Sequence, residues 1–344
     1  LGSSSILGSE DLRQHVPPLS PLFKIVLWHF ISIPSTMKFY APIATFLPIA
    51  FAEIMGFNVG QQKPDGTCKS ADDYAADFNR IYGPDKVFKI FSPTDSCGQN
   101  SLFPLLDAAK QADGKVLVGL WAVGSGFDAE KRALWDAVQV FGGERIVGVV
   151  VGSESLYRSQ FQGTNEITPQ ELANRIYDVK GMIQGDKSSG GLGLPHIPVG
   201  TADTWNALVD GRNTVVLQAL NTVWVNAFPY WQGYAIENGP QALFDAINSV
   251  KSALSAPNPS ASIAVGETGW PTEGKPFGSS VPSLENSRAF WVNAFCKLRG
   301  MGMDAYWFEA FDEPQKTDTT HNTGVEKYWG VYDSNRQTKF DISC

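Results

Sequence analysis

From residue 54 onward the chain alternates two patterns. Short, almost continuously apolar runs recur at Ile54–Val59, Val87–Phe91, Lys115–Trp121, Ile146–Val151, Ile197–Thr201, Thr222–Ala227, Ser262–Gly266 and Asp304–Phe308. The segments between them carry apolar residues at helical spacing. A run nearly continuous in Val, Ile and Ala is buried on both faces, the condition of a strand in a parallel sheet covered by crossover helices. Helix starts support the alternation: Asp72 and Asp73 fill the first turn after Ser70, and Thr168-Pro169 followed by Glu171 makes a capping box with proline at the first helical position. Further helices are predicted over Pro240–Leu254 and Ser283–Leu298. Eight such units predict an α/β fold, a single (β/α)8 TIM barrel, whose usual size of about 250 residues leaves room here for insertions. An open doubly wound sheet is the alternative, and the count of eight favours closure. The Gly/Ser-rich stretch Ser188–Gly191 falls inside one crossover and reads as a surface loop, so no linker divides the domain.

Two segments precede the barrel. Residues 37–52 have a lysine directly after methionine, an apolar run, and Ala50-Phe51-Ala52 at the end, the layout of a secretory signal peptide. A core strand is the weaker reading there, because Pro42 and Pro48 would interrupt its ladder. Residues 1–36 carry no usable pattern and are read as a leader of unclear status, with the apolar stretch Phe23–Ile33 too short to span a bilayer. The barrel domain is therefore expected over residues 53–344. The sequence stops at Cys344 without a hydrophobic tail, so no membrane anchor is expected.

Composition narrows the function classes. With 43% hydrophobic and 18% charged positions the chain has the material for a large packed core. Lys plus Arg number 27 against 35 Asp plus Glu, a formal charge of −8, which argues against a nucleic-acid partner. All four cysteines, Cys68, Cys97, Cys296 and Cys344, lie beyond the signal segment. No C-x-x-C and no Cys/His spacing suited to zinc occurs, so they read as disulfides of an extracellular chain, and no metal is expected. Of the three connectivities, Cys68 with Cys97 and Cys296 with Cys344 closes the two shortest loops and is the expected one.

In a parallel barrel, chemistry sits at the C-terminal ends of the strands. The fourth run, Ile-Val-Gly-Val-Val-Val-Gly, leads into Ser153 and Glu154; the seventh, Ser-Ile-Ala-Val-Gly, leads into Glu267, Thr268, Gly269 and Trp270. Either glutamate alone reads as a solvated loop carboxylate. Two of them in the same Val-Gly context, facing one barrel mouth, form the pair that glycosidic cleavage needs, one to protonate the leaving oxygen and one to attack or stabilise the anomeric carbon. Aromatic residues collect at the same ends: Trp121, Tyr157, Phe228-Pro229-Tyr230-Trp231, Trp270 and Trp307-Phe308. Sugar C–H faces pack on such rings, while hydroxyls seek groups such as Asp203, Asn226, Glu309, Asp312 and Glu313. Gly124-Ser125-Gly126-Phe127-Asp128-Ala129 fits G-x-G-x-x-A, a dinucleotide-binding pattern. It falls on the third βα unit of an acidic chain expected outside the cell, where a helix-entry loop is the better reading, and no cofactor is expected.

These strings resemble glycoside hydrolase family 17, specifically the fungal cell-wall branch that includes endo-β-1,3-glucosidases and β-1,3-glucanosyltransferases. The motifs that carry the resemblance are Val-Gly-Ser-Glu-Ser-Leu-Tyr-Arg at 151–158, Val-Gly-Glu-Thr-Gly-Trp-Pro at 265–271, Trp-Phe-Glu-Ala-Phe-Asp-Glu-Pro at 307–314 and Glu-Lys-Tyr-Trp-Gly-Val-Tyr at 326–332. The similarity runs from about Ile54 to Cys344, and Glu-Thr-Gly-Trp-Pro is its most specific part. The resemblance implies Glu154 as general acid/base and Glu267 as nucleophile of a retaining double displacement on β-1,3-glucan. It also implies that Tyr230 hydrogen-bonds the nucleophile. Members of this clan commonly carry Asn before the acid; Ser153 stands there instead, at a position that the resemblance links to the sugar 2-hydroxyl. Such an enzyme would be secreted and act in the cell wall, by hydrolysis, by transfer to another glucan, or both. The alternative is a wall protein that binds β-glucan and has lost catalysis.

Overall fold

The apolar runs form one closed barrel in the computed structural model of the chain, which describes residues 54–344 apart from 82–85, 95–96, 98–99 and 318–320. The leader 1–36 and the signal segment 37–52 lie outside the described residues. The strands are β1 (Met55–Asn58), β2 (Val87–Ile90), β3 (Lys115–Leu120), β4 (Ile146–Ser153), β5 (Val199–Thr204), β6 (Thr222–Asn226), β7 (Ser262–Thr268) and β8 (Ala305–Trp307). Each pairs in parallel with the next, and β8 pairs with β1 to close the ring.

Helices between the strands cover the barrel: α1 (Ala71–Arg80), α2 (Leu102–Ala112), α3 (Phe127–Phe141), α4 (Ser155–Phe161), α5 (Pro169–Gln184), α6 (Trp205–Leu208), α7 (Thr214–Ala219), α8 (Gly239–Leu254), α9 (Leu284–Phe290) and α10 (Cys296–Gly300). Ser70 with Asp73, and Thr168 with Glu171, form reciprocal capping boxes at the starts of α1 and α5. The single helix predicted over Ser283–Leu298 is instead α9 and α10 joined by a π-helical segment, Trp291–Phe295. That extra residue per turn keeps Trp291 and Phe295 both on the buried face, where each packs on Trp307 of β8.

The barrel interior is a packed core. Val87, Leu117, Val150, Ala202, Trp224, Ala264 and Tyr306, one from each of β2 to β8, form one buried cluster. The Trp224 indole of β6 fits because glycines of β4 and β7 face it. A Cβ on Gly148 would lie 3.0 Å from its ring, and one on Gly266 would lie 2.9 Å from its Cβ. Around the barrel, the disulfides Cys68–Cys97 and Cys296–Cys344 form in the pairing that closes the shorter loops, and the second ties the last residue to α10. Among the described residues no helix is long and apolar enough to cross a membrane.

Three strands extend past their apolar patterns, and this positions the site. β4 continues through Ser153, β5 through Asp203 and Thr204, and β7 through Glu267 and Thr268. Backbone pairing does not depend on side-chain polarity, so strands buried by the barrel carry polar residues up to its rim. The register shifts at Val150/Ser153 between β4 and β5, at Val225/Asn226 between β6 and β7, and at Val265/Thr268 between β7 and β8. Such irregularities re-aim side chains where they occur, and all three sit beside the two glutamates.

Candidate active site

Glu154 stands at the junction of β4 and α4 in the left-handed region, φ 53°, just after Gly152 at φ 81°. A non-glycine residue in that region is uncommon and is held by its surroundings. Its N–H donates to the Ala202 carbonyl of β5 at 2.9 Å, and its own carbonyl accepts the Arg158 N–H at 2.9 Å. The side chain is turned toward the barrel mouth, where Asn226 Nδ2 donates to Oε1 at 3.2 Å. Burial, followed by the charges of Glu267 and Asp203, pushes the Glu154 carboxyl up to about 8, against the Asn226 hydrogen bond and the Arg158 charge. At neutral pH it therefore holds its proton.

Glu267, on β7, is in a different setting. Lys89 Nζ lies 2.7 Å from its Oε1, and Ser153 Oγ donates to the same oxygen at 3.2 Å. Lys89 projects from β2 with its side chain 1% exposed, so the pair is removed from solvent. Its ammonium also donates to Asn58 Oδ1 at 2.9 Å. The Asn58 amide in turn donates to the carbonyls of Gly266 and Trp307, each at 3.2 Å. Burial pushes the Lys89 ammonium down, while Glu267 and then Glu154 pull it back up. The Ser153 residue that departs from the clan's usual Asn thus donates to the second carboxylate.

Beside Glu154 opens a pocket of about 550 Å³ lined by Tyr157, Trp205, Asn226, Phe228, Trp231 and His321, among others. Glu154 lines it and Glu267 does not. The Trp231 indole rests against the His321 ring with centroids 4.8 Å apart. Two carboxyls in opposite electrostatic settings, one protonated and one paired with a cation, next to an aromatic-lined pocket, is an arrangement suited to acid and nucleophilic attack on a glycosidic bond.

The family model for the BtgE/BtgC glycoside hydrolase domain matches residues 56–330, nearly the whole barrel. The chain belongs to that family. A glucan 1,3-β-glucosidase of Candida albicans is 36% identical over 312 residues, 90% of this chain and 98% of that protein. A glucan 1,3-β-glucosidase of Saccharomyces cerevisiae is 36% identical over 293 residues, 84% of this chain and 91% of the relative. Among solved structures, the glycoside hydrolase family 17 β-1,3-glucanosyltransferase from Rhizomucor miehei superposes with a TM-score of 0.70 at 29% identity, covering 85% of this chain and 98% of that one.

Within this BtgE/BtgC domain, several residues expected to meet sugar are committed elsewhere. Asp203 is fully buried and accepts the N–H groups of Leu156, Tyr157 and Thr204. Trp270 is fully buried, packs on Tyr230 and Phe290, and donates its indole N–H to the Val281 carbonyl at 2.9 Å. Glu309 and Glu313 are buried around Lys316, whose Nζ is 2.7 Å from Glu309 and also contacts Glu313. Asp312 accepts Lys339 Nζ at 2.6 Å and the Gly330 N–H at 3.0 Å. Tyr230, implied to hydrogen-bond the nucleophile, gives its hydroxyl proton to the Lys275 carbonyl at 2.7 Å, and Lys89 and Ser153 both donate to Glu267. Asn226 and Tyr157 do reach the pocket, and Trp121, 37% exposed, stands at the end of β3 with the Arg158 guanidinium 4.4 Å from its ring centroid.

The glycine-rich turn at 124–126 leads into α3, whose first turn carries Asp128 and Glu130. Glu130 turns inward to accept Ser92 Oγ and the Trp121 N–H. Acidic side chains at the helix start are the reverse of what a pyrophosphate requires. Sequence patterns single out neither Lys89 nor Asn58 nor Trp205, although a lysine inside Val-Phe-Lys-Ile, a run buried on both faces, signals that a counter-charge lies across the barrel.

Proposed function

We propose that the protein is a secreted, retaining enzyme of the fungal cell wall that acts on β-1,3-glucan, with residues 53–344 as its catalytic domain. The observation that carries this reading is the contrast between the two carboxyls: Glu154 buried among negative charges that favour its protonated form, Glu267 ion-paired with Lys89. The relatives named glucan 1,3-β-glucosidase and the β-1,3-glucanosyltransferase supply the substrate class. Two disulfides and the signal-like residues 37–52 support an extracellular location.

The chemistry follows from the geometry. In the first step a Glu267 oxygen attacks the anomeric carbon, the bond to the leaving oxygen breaks, and Glu154 transfers its proton to that oxygen. The Glu267 carboxylate has then become an ester and lost its charge. That charge was one of the causes holding the proton on Glu154, so Glu154 ionises more readily in the intermediate. In the second step the Glu154 carboxylate takes a proton from the incoming hydroxyl, whose oxygen attacks the anomeric carbon and releases Glu267. Water as acceptor gives hydrolysis; a glucan hydroxyl gives transfer. Because Glu154 lines the aromatic pocket, the leaving chain departs through it and an acceptor sugar enters there, with its C–H faces against Trp205 and Trp231.

Mass spectrometry of the products from one β-1,3-gluco-oligosaccharide of defined length, with Glu267→Ala run beside the natural sequence, tests the reading. Shorter products establish hydrolysis and longer ones transfer. NMR of the first-formed anomer must give the β-configuration. An untouched substrate removes the catalytic reading and leaves a glucan-binding protein, while an α-anomer removes double displacement. The first step needs Glu154 protonated, so kcat/KM is expected to fall as pH rises through about 8. A profile flat from pH 6 to 9.5, measured on an unactivated oligosaccharide, contradicts the assignment.

A further inference from the structure

The first turn of α4 is capped from outside the helix. Glu154 occupies the residue position directly before the helix, where a side chain ordinarily folds back to accept the N–H groups two and three residues on. Glu154 makes no such bond, and its carboxyl reaches Asn226 instead. The two N–H groups in question, those of Leu156 and Tyr157, are taken by Asp203 of the neighbouring strand β5, at 2.8 and 3.2 Å. Asp203 accepts a third from Thr204 at 2.9 Å and is 0% exposed.

We propose that Asp203 is a positioning residue for the general acid: it caps α4 in place of Glu154, which frees the acid's side chain for chemistry, and it sets a negative charge behind it. This rests on Glu154 being the acid. The cap fixes the turn in which Glu154 holds its left-handed backbone, together with the bond from the Glu154 N–H to Ala202, the residue next to Asp203. The charged and titratable groups that face Glu154 are Glu267 from β7, Asp203 from β5, Lys89 from β2 and Arg158 from α4, with the Asn226 amide from β6. The Arg158 guanidinium, which also faces Asp203, is bound to the Ser153 carbonyl at 2.7 Å and to Glu166 at 2.8 Å. Burial raises the Asp203 carboxyl to about 7 against its three backbone bonds.

The test is the pH profile of Asp203→Asn on an unactivated oligosaccharide and on an aryl glucoside whose leaving group needs no proton. Asn keeps an acceptor oxygen and removes the charge. The alkaline limb of kcat/KM is expected to move to lower pH by on the order of half to one unit. On the acidic plateau the looser turn is expected to lower kcat/KM on the oligosaccharide about 10-fold, with less loss on the aryl glucoside. Asp203→Glu, which keeps the charge and displaces the cap, is expected to leave the limb in place and lower the plateau. A merely structural aspartate would lower both substrates equally at every pH without moving the limb, and that result overturns the inference. If Asp203→Asn does not fold, Asp203→Ser carries the same measurement, and failure of both assigns the residue to folding alone and also overturns it. Failure of the underlying assignment is distinguishable, because the natural enzyme would then lack the alkaline limb.

Discussion

Glu267→Ala is expected to lower turnover on β-1,3-gluco-oligosaccharides by on the order of 10⁴-fold or more, and added azide is expected to restore cleavage of an activated aryl glucoside. The variant removes the attacking oxygen and leaves a gap beside Lys89 Nζ, which had lain 2.7 Å from the lost carboxylate. A small anion can enter that gap and pair with the ammonium, so azide attacks from the face that Glu267 used and the product is the α-glucosyl azide. In Glu154→Ala the nucleophile is intact, the glycosyl-enzyme forms, and azide replaces water on the opposite face to give the β-product. The two products assign the two roles independently of rate. A β-azide from Glu267→Ala would exchange them, and full activity in either variant would remove the carboxyl pair from the mechanism.

Much of this site was legible because parallel barrels write their geometry into the chain. Strands buried on both faces must be nearly continuous in branched apolar residues, so their ends stand out, and the ends are where Glu154 and Glu267 lie. The sequence was less informative about carboxylates whose partners are distant in the chain. Glu309, Asp312 and Glu313 look like sugar ligands after a strand, yet Lys316 and Lys339 neutralise them. Asp203 satisfies the same pattern and instead takes backbone N–H groups from α4, nearly fifty residues earlier. Trp270 was an equally fair platform by position, and only the packing of Tyr230 and Phe290 around it places it in the core. The pairing of Lys89 with Glu267 spans 178 positions, so neither residue's neighbours in sequence reveal it. What was readable is the burial of a lysine in β2, which by itself demands a partner.

Lys89→Met follows from that demand and is expected to impair both stability and the second chemical step. Removing one member of a buried ion pair leaves the other charge desolvated, which costs about 3–5 kcal/mol. The melting temperature should therefore fall by several degrees at neutral pH. In the proposed double displacement, Glu267 begins as a carboxylate, becomes a neutral ester, and must recover its charge when the glycosyl-enzyme breaks down. In that scheme Lys89, 2.7 Å from Glu267, stabilises the carboxylate that leaves in the breakdown. Its loss is expected to slow deglycosylation by about 10²- to 10³-fold, the scale seen when one preorganised donor to a developing charge is removed. With an activated aryl glucoside the variant should release a burst of aglycone equal to the enzyme concentration, and intact-protein mass spectrometry should find the glucosyl adduct on Glu267. Asn58→Ala keeps the ammonium but removes its 2.9 Å contact with Oδ1 and the amide's bonds to Gly266 and Trp307, so it should shift the same two readouts by less. A Lys89→Met enzyme without burst or adduct, and with kcat within twofold of the natural sequence, would mean that the cation serves only to bury the carboxylate and takes no part in its chemistry.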